Sequence, residues 1–228
     1  MDKIVNSLNK TFFVDGRYKL FLTGIKNTIF IAIIATIIGI TIGLIVAVIR
    51  VSAKNNKKLI ILDKICGLYI TIIRGTPVVV QLLIMYFAIF VNVNNSVLVA
   101  IITFGINSGA YVAEIARAGI ESVDKGQMEA GLSLGLNRNK AMFFIVLPQA
   151  LKNILPALGN EFISLLKETA VAGYVPIIDL TKAGDLIRTR TYESTPLYFV
   201  ALCYLIMVVI LTFVQKIVER RLSESDRN

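Results

Sequence analysis

The sequence contains no histidine, only two cysteines, and few charges for its length: 17% of 228 residues are Asp, Glu, Lys or Arg. A soluble domain of this size usually carries about a quarter charged residues. Without histidine, the commonest metal ligand and the usual general base are both missing. Cys66 and Cys203 lie in apolar segments and suggest neither a disulfide framework nor a metal site. No GxxxxGK[ST] phosphate loop occurs, so the chain does not read as a nucleotide-binding subunit. The first 25 or so residues carry Asp2 and Asp15 and do not read as a cleaved signal peptide.

Hydrophobic residues make up 56% of the chain. No charged residue occurs from Asn27 to Ile49, from Gly75 to Ala113 or from Ser194 to Gln215. Each gap meets or exceeds the roughly 20 apolar residues that cross ~30 Å of hydrocarbon as a helix. The middle gap is too long for one crossing and is broken by the turn-favouring run Asn92–Ser96. Five spans are expected: about 28–49, 76–91, 97–117, 141–166 and 196–215. The run 59–73, which includes Asp63 and Lys64, reads as a helix near the membrane face rather than a full crossing. Residues 6–18 read as a helix lying in the interface.

The net charge of +9 does not point to nucleic acid, because basic residues gather at the ends of apolar runs: Arg50, Lys54, Lys57 and Lys58; Arg138 and Lys140; Lys216, Arg220 and Arg221. This distribution follows the positive-inside rule and places the N-terminus outside and the tail in the cytoplasm. The stretch 170–195 is then external, its mixed charges suiting a loop or gate. The stretch 119–140 is cytoplasmic. Within it Lys125–Leu134 reads as a short helix stopped by Gly135, a docking surface or an ordinary connector.

Glu129-Ala130-Gly131, three residues, Gly135, nine residues, then Ile145-x-Leu147-Pro148 resembles the signature loop of ABC-importer permeases, with Gly131 where the family usually has alanine. RGTPVVVQL at Arg74–Leu82, NSGAYVAEIARAGI at Asn107–Ile120 and NEFISLLKET at Asn160–Thr169 narrow the resemblance to the polar amino acid uptake permeases, the histidine, glutamine and arginine group. It covers nearly the whole chain from Phe21 to Arg221.

The resemblance implies an all-α polytopic membrane bundle of the type I importer class. It would divide into an N-terminal interfacial segment (1–20), a transmembrane domain (21–221) with its coupling loop at 119–140, and a cytoplasmic tail (222–228). The coupling helix, with Gly126, Glu129, Ala130, Gly131 and Gly135, would seat in a cytoplasmic ATPase, and Glu129 would pair with a basic residue there. ATP and Mg would be bound by that partner, and this chain would hold no cofactor. Two ATPases, a second permease subunit (a homodimer is expected), the lipid bilayer and an extracytoplasmic amino acid-binding protein complete the expected partners.

Polar residues inside spans are costly and are default candidates for a pathway. Thr103, Asn107, Tyr111 and Glu114 recur on one face of the third span, with Ser108 beside them. Asn153, Asn160, Ser164 and Lys167 form a stripe on the fourth, with Glu161 next to it. Helix–helix hydrogen bonding explains such stripes equally well for the neutral residues. For the substrate, the candidates are Thr103, Asn107, Ser108, Tyr111, Asn160, Glu161, Ser164 and Lys167. Glu161 is expected to favour a cationic side chain, and Lys167 to hold a carboxylate or cap a neighbouring helix. Arg74 reads as structural, and Glu114 with Arg117 as a local ion pair. A gradient-driven carrier would need repeated broken helices, and no inverted repeat is evident. A membrane-embedded enzyme would need chemistry the chain does not offer.

Overall fold

A computed structural model describes the backbone of residues 2–54 and 56–224, and side chains over 5–54 and 56–221. Among the described residues the regular structure is entirely helical. Helix α1 (Asp2–Phe12) ends in a turn where Asp15 and Gly16 take positive φ, so it lies earlier than the interfacial helix expected at 6–18. The next helix, α2 (Tyr18–Ala53), has 36 residues and is about 54 Å long, which puts the expected domain boundary at 20/21 inside it. Four stretches are long and apolar enough to cross a membrane: Val14–Ala53, Ser96–Glu121, Arg138–Tyr174 and Thr195–Arg221.

The remaining crossing is broken. Lys57–Arg74, mostly helix α3 (Ile60–Arg74), meets Val78–Ile89, which is α4 (Val78–Ile84) followed by a π-turn, at a bend of 104°. The helix expected at 59–73 and the second span expected at 76–91 are the two limbs on either side of this bend, and counted together they make a fifth candidate span. At about 1.5 Å per residue, neither limb alone covers ~30 Å of hydrocarbon. Pro77, itself extended (φ −64°, ψ 135°), is the N-cap of α4, and its ring disfavours helical backbone at the residue before it.

The core forms where α2 packs beside α5 (Ser96–Glu121). The two run parallel, because partners along them rise together: a Cβ on Gly39 would lie 2.8 Å from Ser108, and one on Gly43 2.5 Å from Val112. Ile31, Ala35, Leu82 and Phe104 are fully buried around this seam. The stretch expected as a coupling loop at 119–140 overlaps the end of α5, which runs to Glu121. Its helix α6 (Lys125–Ser133) leads to α7 (Arg138–Ala141), and a π-turn over Met142–Val146 joins α7 to α8 (Leu147–Glu168) just ahead of Pro148. Such bulges absorb breaks in the helical hydrogen-bond ladder.

The polar stretch 170–195 is not a loop. After a tight helical turn at Thr169–Tyr174 it forms α9 (Leu180–Thr191), capped by Asp179 and buried through Leu180, Ala183 and Ile187. The last helix, α10 (Thr195–Glu224), packs on α8 and α9 and leaves most of its apolar surface bare. The tail assigned to 222–228 lies largely outside the described residues.

Helix α1 is fastened at the opposite end from the basic cluster. Phe12, Phe21 and Phe199 meet with ring centroids 4.7–5.7 Å apart. Ser7 hydrogen-bonds Glu193, and Lys10 pairs with the same carboxylate at 3.2 Å. The Ser7 hydrogen bond first, and the Lys10 ammonium after it, hold the Glu193 carboxyl below its ordinary 4.5. A depressed carboxyl stabilises the folded form above its ordinary pKa and loses that contribution as pH falls through the lower folded value. Protection of the α1 amides, measured against their intrinsic exchange rates at each pH, is therefore expected to fall on acidification below 4.5, and to be low already at neutral pH in Glu193→Gln. Equal α1 protection across that window would refute the clasp.

Candidate functional site: a polar seam and an exposed helix

The bend in the second span leaves the last carbonyls of α3 without helical partners. Gln81, one turn into α4, donates to Ile73 O at 2.8 Å and to Thr76 O at 3.1 Å, and its Oε1 accepts from Asn107 Nδ2 at 3.0 Å. Non-helical backbone at membrane depth is tolerated where side chains satisfy it. Gln81 does so while tying the bend to α5, and it was given no role in the sequence reading. As a polar residue inside the span expected at 76–91 it carried the same signal as Asn107, and that signal was passed over.

Beyond Asn107 the polar seam continues along α5. Ser108 is fully buried and donates to Glu161 Oε1 on α8 at 2.9 Å. The Tyr111 ring lies under Arg74, 5.1 Å from its guanidinium carbon. Glu114 holds three guanidinium groups: Arg50 at 2.8 Å, Arg117 at 2.9 Å and Arg74 at 3.7 Å. Arg117 continues to Glu121 at 2.6 Å, Glu121 pairs with Lys54, and Arg50 reaches Asp63 at 3.3 Å. The expected Glu114–Arg117 pair is present, as one link in a network joining α2, α3 and α5.

The eight substrate candidates divide. Asn107, Ser108, Tyr111 and Glu161 line this seam, with Gln81 and Arg74 added to it. Thr103 is buried with its hydroxyl bonded back to Val99 O at 2.8 Å, so it has no free hydroxyl proton to offer. Asn160 and Lys167 are exposed on another face of α8, with Ser164 half-buried beside them. Glu168, half-buried and seven residues after Glu161, shares that residue's face. No group of three or more metal-ligating side chains occurs among the described residues.

Helix α6 is built to stand clear of the bundle. Asp124 caps it by accepting from Gly126 N at 2.7 Å. Gly135 (φ 84) ends it, with Leu136 N bonded to Gly131 O and Gly135 N to Leu132 O, the paired bonds of a Schellman motif. Gly131 faces inward, where a Cβ would lie 2.7 Å from Ile145, and Gln149 donates to Gln127 at 3.1 Å. Glu129, Ala130, Leu132 and Leu134 face outward, Leu134 at 82% exposure. A groove of about 740 Å³ runs between the helix and the bundle, lined by Lys54, Glu121, Lys125, Met128, Glu129 and Arg138 among others. Gly135→Val is expected to cost about 1–2 kcal/mol of local helix stability, seen as loss of α6 amide protection while the spans stay protected.

Residues 39–224 match the family described as binding-protein-dependent transport system inner membrane component. The arginine transport system permease protein ArtQ of Bacillus subtilis (strain 168) is 37% identical over 209 residues, which span 90% of this chain and 93% of ArtQ. The glutamine transport system permease protein GlnP of Escherichia coli (strain K12) is 35% identical over 208 residues, 89% and 93% of the two chains. A crystal structure of an amino acid ABC transporter with histidines superposes with a TM-score of 0.82 at 40% identity, covering 90% of this chain and 94% of that one. An inward-facing MetNI methionine ABC transporter superposes at 0.77 with 21% identity, a likeness of fold. The chain belongs to the binding-protein-dependent transport system inner membrane component family: it is a multi-pass permease subunit rather than an ATPase.

Proposed function

We propose that this chain is the permease subunit of an ATP-driven importer of a polar amino acid. Helix α6 carries the reading: a capped helix, held off the membrane bundle with Glu129, Ala130 and Leu134 bare, suits a socket on a partner that moves. That partner is a cytoplasmic ATPase dimer holding ATP and Mg, and its closure is transmitted through α6 to α5 and α8. The relatives transport glutamine and arginine, which supports an amino acid as cargo. An extracytoplasmic binding protein delivers it, and the N-terminus lies outside with the basic end in the cytoplasm. Glu129→Arg is expected to abolish uptake and substrate-stimulated ATP hydrolysis in proteoliposomes while the isolated permease keeps its melting profile. Uptake that continues without any ATPase, driven by an ion gradient, would overturn the proposal.

A second permease copy completes the pathway. Asn153, Asn160 and Lys167 recur every seven residues along α8 and are exposed, although Asn153 also donates to Ser122 Oγ at 2.9 Å. Such a polar stripe is too costly to leave against lipid. Between two copies the stripe would border a water-filled route, with Lys167 available for a substrate carboxylate. Glu161, reached across the seam, selects a cationic side chain. Glu161→Gln is expected to reduce the preference for arginine over glutamine by roughly tenfold or more, since a charged hydrogen bond contributes about 1.5–3 kcal/mol. Unchanged preference in competition uptake would remove Glu161 from the selectivity filter.

A further inference from the structure

Helix α3 has two faces. Cys66 and Ile70 are buried against α2 and α5, while Ile61, Ile65, Leu68 and Ile72 form an unbroken outward stripe, 53–72% exposed. The steps of four, three and four residues place these side chains on one line. At its start the stripe meets Lys57, Lys58 and Lys64, all exposed. The neighbouring charges are already engaged: Asp63 pairs with Arg50, and Lys54 with Glu121. Among the described residues these three lysines have no ion-pair partner. Along the stripe's edge Gly67 leaves an open notch, since nothing lies within 4 Å of where its Cβ would be.

We propose that the α2–α3 corner and the outer face of α3 form a binding site for one anionic phospholipid. The lysines hold the phosphate and the stripe takes an acyl chain. A neutral lipid fits the stripe but leaves the three cationic charges unanswered. A soluble anion such as glycerol phosphate answers the charge but leaves the stripe bare. Only a molecule with a phosphate at one end and a chain of hydrocarbon at the other satisfies both. A positive-inside bias explains the sign of the lysines but not their position at the head of a bare stripe. The site requires only that the chain is embedded in a membrane, so it stands apart from the transport reading. It has a mechanical setting nonetheless, because both ends of α3 are tied to α5's network, through Asp63–Arg50 at one end and Arg74–Glu114 at the other.

The chain has no tryptophan, so Leu68→Trp in the full-length protein supplies a unique fluorescent reporter on the stripe. Brominated phosphatidylglycerol is expected to quench it at far lower mole fraction than brominated phosphatidylcholine, by roughly hundredfold for three lysines near a lipid surface. The preference is expected to collapse toward unity in Lys57→Gln/Lys58→Gln/Lys64→Gln and to weaken with salt. Glycerol phosphate should not compete. A second reporter, Leu205→Trp on the bare face of α10, should be quenched by both lipids alike in both backgrounds, which shows that the lysine variant is folded. Equal quenching of the α3 reporter by the two lipids, a preference that survives loss of the lysines, or competition by glycerol phosphate would overturn the proposal. So would an α3 reporter that no lipid reaches, which would mean that a second copy of the chain covers this face.

Discussion

Gly43→Leu is expected to destabilise the chain by about 3 kcal/mol, the upper range for an overpacked core. A Cβ there would lie 2.5 Å from the Val112 side chain and 2.9 Å from Ala113 N, so even the first carbon has no room. The α2–α5 seam is the largest contact in the fold, and small residues let its backbones approach closely. A thermal unfolding series in detergent checks the size of the effect. Val112→Ala removes the Cγ1 contact but leaves the Val112 Cβ and Ala113 N contacts in place, so it should recover only a small part of the loss, with measurable coupling in the double-mutant cycle. Gly67→Ala, at an open helical position, is the contrasting control and is expected to stabilise by up to about 1 kcal/mol through helix propensity alone. If Gly43→Leu and Gly67→Ala behave alike, the seam is not where the fold gets its stability.

The second large effect concerns Glu114. Removing its charge leaves three guanidinium groups facing one another toward the C-terminal ends of α2, α3 and α5. Breaking a buried ion pair from one side typically costs about 3–5 kcal/mol, and here Arg117 keeps Glu121 and Arg50 keeps Asp63 while Arg74 loses its carboxylate. Glu114→Gln is therefore expected to lose about 3 kcal/mol, at the low end because its side chain retains 21% exposure. Arg74→Gln should cost far less, since its link to Glu114 is long at 3.7 Å and its side chain is 43% exposed. Denaturant unfolding of the two variants should rank them in that order. If Arg74→Gln proves as damaging as Glu114→Gln, the guanidinium over Tyr111 matters more than the carboxylate, and the network's hub is misplaced.

The span count was legible because charge-free runs report bilayer thickness directly. The course of the second span was not. Asp63 and Lys64 set 59–73 apart from the apolar run that follows, but the 104° bend joining the two limbs and the pairing of Asp63 with Arg50, thirteen residues away, are revealed by no local pattern. Helix α9 was hidden by its charges, although Asp179 as a cap and Leu180, Ala183 and Ile187 at helical spacing were there to be read. In the candidate site, Glu114–Arg117 was visible because both ends lie on one helix. Ser108–Glu161 and Gln81–Asn107 join residues chosen for polarity, or in the case of Gln81 overlooked despite it, whose meeting is decided only by how helices pack.

The Gln81 contacts bear on how the second span can move. Its amide closes the joint between the two limbs from within, using carbonyls on one side of the break and a side chain from the other. A joint sealed in this way does not bend by degrees. To change its angle the amide must release Ile73 and Thr76 and find other acceptors, or drop Asn107 as well. The joint behaves as a detent, with defined resting positions, and Gln81 is the pawl that has to lift between them.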